Sequence, residues 1–384
     1  LIKARSFAGK LIEMQVLKKH NFGAGPCILP GSVLQQAANA VVNWNDTGLS
    51  ILEVSHRSPE FESVVLKTQL LVRELLNVPQ SYEVLFLQGG ASTQFSMVPM
   101  NFLEGKSYAA YLDTGYFAQK AIREAKLFGK VKVIASSEDK DYCYIPDHYE
   151  ITPDAAFLHC TSNNTIEGTE MFSFPESGVP MICDMSSDIF SRTINVKDFD
   201  LIYAGAQKNM GPAGMTLVIA KNEFLNSVKH AVPSMSDYRV YRDNQSMFNT
   251  PPVFSIYVAM LNLLWLREQG GVIGIQQKNL KKSELLYEEI DRNRLFYGTA
   301  HPAHRSKMNI TFKMHDPSME KEFLTVAAQY GVVGIKGYRT VGGFRASLYN
   351  ALPLSSVEFL VQVMQYFEKE KSMVYSLGTQ IAGS

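Results

Sequence analysis

The chain has 384 residues, and its 37 basic and 37 acidic side chains cancel to a formal net charge of zero, which excludes a nucleic-acid or polyanion binder as the expectation. Hydrophobic residues make up 46% and charged residues 19%, so a folded chain with a large core and room for two domains is expected, and no apolar run approaches the roughly 20 residues that span a bilayer. The four cysteines (Cys27, Cys143, Cys160 and Cys183) are widely spaced without a CxxC pair, which argues against a metal site or a disulfide framework and fits a reducing cytoplasm.

Residues 1–15 mix Lys3, Arg5 and Lys10 with short apolar pieces and lack an uninterrupted apolar stretch, so a secretory signal is not expected. An amphipathic targeting segment and an extended start both fit, and residues 1–19 are set apart from the fold. Residues 59–76 read as an amphipathic helix, with Ser58 at its N-cap and Pro59 at its first position. Short apolar runs follow at 82–87, 107–112, 131–135, 155–160, 179–183, 201–204 and 215–220. Continuous apolar character over five or six residues marks strands buried on both faces, hence an α/β fold with a largely parallel sheet covered by helices. Helical periodicity separates some of the runs, as at 116–128, where Ala118, Ala121, Ile122 and Ala125 share a face. Residues 255–269 and 273–290 read as two long helices split by Gly270-Gly271, placing a boundary between a large domain (20–270) and a smaller α+β domain (271–384). In the latter, 308–314 alternates as a half-buried strand, 319–329 is helical, 332–335 and 344–349 are short strands, and 355–367 closes as an amphipathic helix.

Four features are expected to converge at the strand ends, where α/β sheets place their ligands. The turn Gln88-Gly89-Gly90-Ala91-Ser92-Thr93-Gln94 follows a strand and opens a helix, a setting whose free N–H groups bind phosphate; glycine turns of this kind are also common without function. Thr161-Ser162-Asn163-Asn164-Thr165 offers hydroxyls that could reach a cofactor ring, or else a polar capping loop. Asp184 closes an apolar run and either partners a pyridinium nitrogen or caps the segment after it. Lys208, in Ala204-Gly205-Ala206-Gln207-Lys208-Asn209, sits at a strand end among small residues, which suits an amine that loses its proton and forms a Schiff base with an aldehyde cofactor. A lone loop lysine is ordinarily solvated; the Asp–Lys pairing in this order is what points to pyridoxal 5′-phosphate (PLP). Cations for an anionic substrate are available at His56-Arg57, Arg339 and Arg345, the last within a buried-looking strand where a guanidinium needs an anion.

From about His20 to the C-terminus the chain resembles the phosphoserine aminotransferase family, PLP enzymes of the class V aminotransferases with fold type I. The resemblance rests on Asn21-Phe22-Gly23-Ala24-Gly25-Pro26, Ser55-His56-Arg57-Ser58, the Lys208 segment, Phe248-Asn249-Thr250-Pro251-Pro252 and Gly342-Gly343-Phe344-Arg345 with the residues that follow. It implies that Lys208 binds the cofactor covalently, that Asp184 pairs with the ring nitrogen and that Thr165 bonds the ring hydroxyl. It further implies that Phe117 stacks on the ring and that Ala91, Ser92 and Gln207 hold the cofactor phosphate, with Asn249 and Thr250 contributed by the second subunit of a homodimer. Arg345 is implied for the substrate carboxylate, and His56, Arg57 and Arg339 for the substrate phosphate; no metal is implied. The implied reaction takes the amino group from L-glutamate to 3-phosphohydroxypyruvate in serine biosynthesis, and possible further use of 4-phosphohydroxythreonine in pyridoxine biosynthesis stays open. Three positions depart from the family pattern: Phe117 where tryptophan is frequent, Ala91-Ser92 where bacterial members often carry Gly-Arg, and Tyr338 where many carry histidine. A cysteine desulfurase would need a cysteine in the C-terminal half, which this chain lacks. An alanine–glyoxylate type enzyme has no need of the second cationic cluster, and a nucleotide-binding module gives Lys208 no role.

Overall fold

Seven of the apolar runs become strands of one sheet: β1 (Tyr82–Leu87), β2 (Tyr108–Asp113), β3 (Val131–Ser136), β4 (Ala155–Thr161), β5 (Met181–Asp184), β6 (Leu201–Gly205) and β7 (Thr216–Lys221). The computed structural model describes residues 18–339 and 341–382, so most of the expected N-terminal extension lies outside the described residues. The strand order is β1-β7-β6-β5-β4-β2-β3. β7 runs antiparallel to both β1 and β6, and the remaining neighbours are parallel. Burial on both faces holds for most of the sheet and fails for β3, where Val133 is 45% exposed. β3 is an edge strand, with helices covering it incompletely. The other edge, β1, is closed by side chains: Gln69 Nε2 donates to the Val84 carbonyl (2.9 Å), Arg73 Nη2 to the Tyr82 carbonyl (2.6 Å), and Ser246 Oγ accepts from the Phe86 N–H (2.9 Å). Pairing an edge in this way removes a template for association.

Helix α1 (Gly31–Val42) is followed by α2 (Pro59–Leu76), which begins as the sequence predicts: Ser58 Oγ accepts from the Phe61 N–H at 3.3 Å. α3 (Gly90–Phe102) and α4 (Tyr116–Ala125) follow β1 and β2. α5 (Val253–Glu268) is buried on nearly every side, and a left-handed Gly270 (φ 90°) turns it into α6 (Gly271–Arg292).

α6 leads to a second, antiparallel sheet of β8 (Phe296–Gly298), β9 (Asn309–Met314) and β10 (Phe344–Ser347), in that order. The alternation at 308–314 predicts a half-buried strand, whereas β9 is buried at all but Lys313. It is the central strand, and α6, α7 (Glu320–Gln329) and α8 (Leu354–Ala382) complete the aromatic core around Phe296, Phe312, Phe323 and Phe344. α8 continues past the expected end at residue 367, because Glu368-Lys369-Glu370-Lys371 lacks an apolar stripe yet consists of good helix formers. Of the expected strand at 332–335, Val332–Val333 pairs in parallel with His20–Asn21, while the Ile335 carbonyl turns to accept the Arg345 N–H of β10 at 2.8 Å. No helix among the described residues is long and apolar enough to cross a membrane.

Candidate active site

The carboxyl ends of β4, β5 and β6 lie side by side, and each carries one of the expected residues. Asp184 is the last residue of β5, Lys208 lies three residues beyond β6, and Thr165 lies four beyond β4. Lys208 Nζ donates to Thr165 Oγ1 at 2.7 Å. Among the described residues this lysine forms no ion pair, and burial pushes its pKa down to about 8, with Arg345 reinforcing the shift and Asp184 opposing it. A lysine held in this way supplies a free amine close to neutrality. The sign has a consequence: below about pH 8 the ammonium dominates, so the rate at which apo-enzyme takes up PLP covalently should rise with pH to a plateau above that value. Stopped-flow absorbance from pH 6.5 to 9.5 measures this; a rate still rising tenfold per unit at pH 9.5 would mean an ordinary lysine.

Asp184 is buried, and its Oδ1 accepts the Ser186 N–H at 2.9 Å. Burial raises its proton affinity, and the Ser186 hydrogen bonds and the Lys208 charge oppose this. Cap and counter-charge are therefore the same carboxylate. The turn before α3 has left-handed Gly89 and Gly90 (φ 91° and 67°), and a Cβ on Gly89 would lie 1.9 Å from Thr93 Oγ1. No side chain caps α3, so its first N–H groups are available to an anion, with Ala91 half-buried and Ser92 exposed beside them. Gln207, next to Lys208, is half-buried. Phe117 comes from the first turn of α4, and its ring centroid stands 5.7 Å from Lys208 Nζ.

Arg345 lies on β10 and reaches the same corner: its Nη1 donates to the Thr165 carbonyl at 3.4 Å, and its Nε is buried without a partner. Arg339 and Arg345 both act on the Tyr338 hydroxyl through their charges. Arg339 is exposed on a turn whose neighbour, Tyr338, meets the Tyr116 hydroxyl at 3.4 Å. His56 is half-buried and Arg57 exposed, and the Arg57 N–H bonds locally to Ser55 Oγ (3.2 Å). Asn249 and Thr250 are exposed too, with the Thr250 carbonyl accepting Gln88 Nε2 at 2.7 Å.

Several contributors escape the sequence reading. Cys27 N–H donates to the Gln207 carbonyl (3.0 Å) and its thiol to the Lys208 carbonyl (2.6 Å), across 181 positions; burial pushes that thiol up to about 12, so it acts here as a donor and not a nucleophile. Asn262 Nδ2 donates to the carbonyls of Asn209 and Met210 (both 2.9 Å), and Asn209 Oδ1 accepts the Asn350 N–H (3.0 Å). The loop after Lys208 is thus pinned by α5 on one side and by the segment after β10 on the other. Below it, Arg192 bridges Glu170 (2.9 Å) and Asp188 (3.1 Å), and Ser162 Oγ bonds Asp188. Asn209, Ser162 and Asn350 had a sequence signal, their places in the Lys208 segment, the Thr165 loop and the motif that follows Arg345.

A half-buried lysine amine, a buried carboxylate, an aromatic face and an open helix N-terminus are the donor set that an aldehyde-bearing pyridine phosphate needs, so these residues fit PLP. The family model for class V aminotransferases matches residues 19–360. The chain belongs to the class V aminotransferases. Within that family it is similar to the phosphoserine aminotransferase of Bacteroides thetaiotaomicron, 54% identical over 355 residues that span 92% of this chain and 99% of the relative. The solved phosphoserine aminotransferase of Bacillus circulans subsp. alkalophilus superposes with a TM-score of 0.90 at 46% identity, covering 92% of this chain and 99% of its own. A PLP-bound phosphoserine aminotransferase from Trichomonas vaginalis gives 0.87 at 36% identity, over 91% and 100%. This class V aminotransferase is therefore a PLP-dependent transaminase of fold type I.

Proposed function

We propose that this aminotransferase moves the amino group of L-glutamate to 3-phosphohydroxypyruvate, giving O-phospho-L-serine and 2-oxoglutarate in serine biosynthesis in the cytoplasm. The single observation that carries the reading is the double use of Thr165. Its hydroxyl accepts from Lys208 at 2.7 Å and its carbonyl from Arg345 at 3.4 Å, so the proton-moving amine and a carboxylate anchor meet on one residue. The names of the similar relatives support the phosphorylated substrate.

In this reading Lys208 would hold the cofactor, and its freed amine would take a proton from Cα in the glutamate half-reaction and give a proton to Cα in the half-reaction of the oxoacid. PLP, when bound, supplies the electron sink for the charge left at Cα. Asp184 would pair with the ring nitrogen, Thr165 with the ring hydroxyl and Phe117 with the ring face; Ala91, Ser92 and Gln207 would hold the cofactor phosphate. Arg345 orients the substrate by its carboxylate, with two parallel N–H donors. Arg339 belongs to the substrate-phosphate pocket, completed by His56 and Arg57 of the partner subunit. Asn249 and Thr250 of the partner subunit complete the cofactor-phosphate cradle in a homodimer. The exposure of Arg57, Asn249 and Thr250 in a single chain supports that use. 4-Phosphohydroxythreonine, of pyridoxine biosynthesis, carries the same amine, carboxylate and phosphate groups and is proposed as a second substrate.

Amino-acceptor kinetics test the reading. A dianionic phosphate met by guanidinium groups should give 3-phosphohydroxypyruvate a kcat/KM about 10²- to 10⁴-fold above that of unphosphorylated hydroxypyruvate. Equal values, or a preference for glyoxylate, would replace the phosphorylated substrate with an alanine–glyoxylate type.

A further inference from the structure

Glu167 lies in the tight turn between the paired segments Asn163–Asn164 and Thr169–Glu170, two residues after Thr165. Its Oε1 accepts the Tyr116 N–H at 2.8 Å, at the start of α4. Gly115 leaves the room for this, since a Cβ there would lie 2.6 Å from the carboxylate. The other oxygen, Oε2, is buried and has no hydrogen-bond partner, and Arg345 Nε is buried and unpartnered as well. The two groups make no ion pair within 4.0 Å, but the fold holds them close: the Glu167 carbonyl accepts Thr311 Oγ1 at 2.9 Å, and Thr311 pairs with Arg345 across β9 and β10. Burial raises the proton affinity of Glu167 and lowers that of Arg345, and the charge of each opposes the shift of the other. Among the described residues, Glu167 is the carboxylate that acts on the Arg345 charge. A helix N-terminus holds it in place, where negative charge is favoured.

A guanidinium with one carbonyl partner and one carboxylate at a distance is balanced but not occupied. We propose that Glu167 is a positioning residue that sets the affinity of the Arg345 site: it offsets the Arg345 charge in the empty enzyme and repels the substrate carboxylate once that carboxylate is bound. The inference rests on the reading that Arg345 receives the substrate carboxylate. Each half-reaction must release a product that carries the same carboxylate as the incoming substrate, and an uncompensated guanidinium would retain it. Coulombic repulsion falls off slowly with distance, so contact is not required.

Glu167→Gln keeps the size and the acceptor for Tyr116 while removing the charge. The probe is glutarate, a dicarboxylate without amino or oxo group, titrated into PLP-loaded enzyme by calorimetry. The expected result is a Kd lower by roughly three- to tenfold, from the loss of one like charge at partly buried range. KM for glutamate should fall in parallel without a rise in kcat. Glutarate binding that is unchanged or weaker in folded Glu167→Gln overturns the inference, because a merely structural role would weaken the site and never tighten it. Glu167→Ser provides a second neutral variant should the first fail to fold. Arg345→Ala tests the underlying reading separately. If glutarate binds Arg345→Ala as it binds wild type, the carboxylate assignment fails whatever Glu167 does. If binding is lost there and Glu167→Gln shows no tightening, the inference about Glu167 fails alone.

Discussion

Replacement of Lys208 by alanine is expected to lower kcat by about 10⁴-fold or more, since one side chain is asked both to hold the cofactor and to move the Cα proton. Among the described residues no substitute amine bonds Thr165 at that point. Lys282 is buried, but its Nζ is spent on the carbonyls of Leu348 and Tyr349 (both 2.9 Å), and it lies on α6. The variant should still fold, because the loop around position 208 is pinned by backbone contacts from Cys27 and Asn262 that the side chain does not make. Two measurements decide the matter: the visible absorbance band of lysine-bound cofactor should vanish, and borohydride should no longer fix cofactor to the chain. A Lys208→Ala protein with more than a few per cent of wild-type turnover would end the aminotransferase assignment of this residue.

Asp184→Asn is expected to cost about 10³-fold in the rate of the glutamate half-reaction, by removing the anion proposed to keep the ring nitrogen protonated. Asparagine has nearly the same shape and still offers an oxygen to the Ser186 N–H, so the strand end should stay in place. What changes is charge. Asp184 is also the first group that raises the proton affinity of Lys208, so its loss should move that lysine further down in the apo-enzyme. Single-turnover absorbance with glutamate reads the first effect, and the pH profile of cofactor uptake reads the second. A half-reaction within tenfold of wild type, in a variant with an unchanged thermal midpoint, would reduce Asp184 to the capping role that the Ser186 contact describes.

Much of the large sheet was legible because strands buried on both faces leave continuous apolar runs, and six-residue runs such as 82–87 need little else to be recognised. The failures have one cause. β3 and β9 were misjudged in opposite directions because a run of residues does not state which strands lie beside it. Position in the sheet exposes Val133 at an edge and buries β9 at a centre. The candidate site divides in the same way. Lys208, Asp184 and Thr165 could be picked out because each follows a run that ends at the same end of the sheet. The roles of Cys27, Asn262 and Glu167 could not, since their partners lie far away in sequence and single polar residues carry no periodic signal.

By itself the sequence determined that this chain builds a covered, mostly parallel sheet and that an aspartate and a lysine follow successive buried strands. It also carried motifs enough for the family. Those are local properties, set by side-chain polarity along five or six residues and by the turn chemistry that follows. Tertiary structure alone decided that Arg345, from the second sheet, reaches the Thr165 carbonyl while Lys208 takes the same residue's hydroxyl. It also decided how far the amine is desolvated, because burial is a sum over neighbours from the whole fold. That sum turns an ordinary lysine into one poised at about 8.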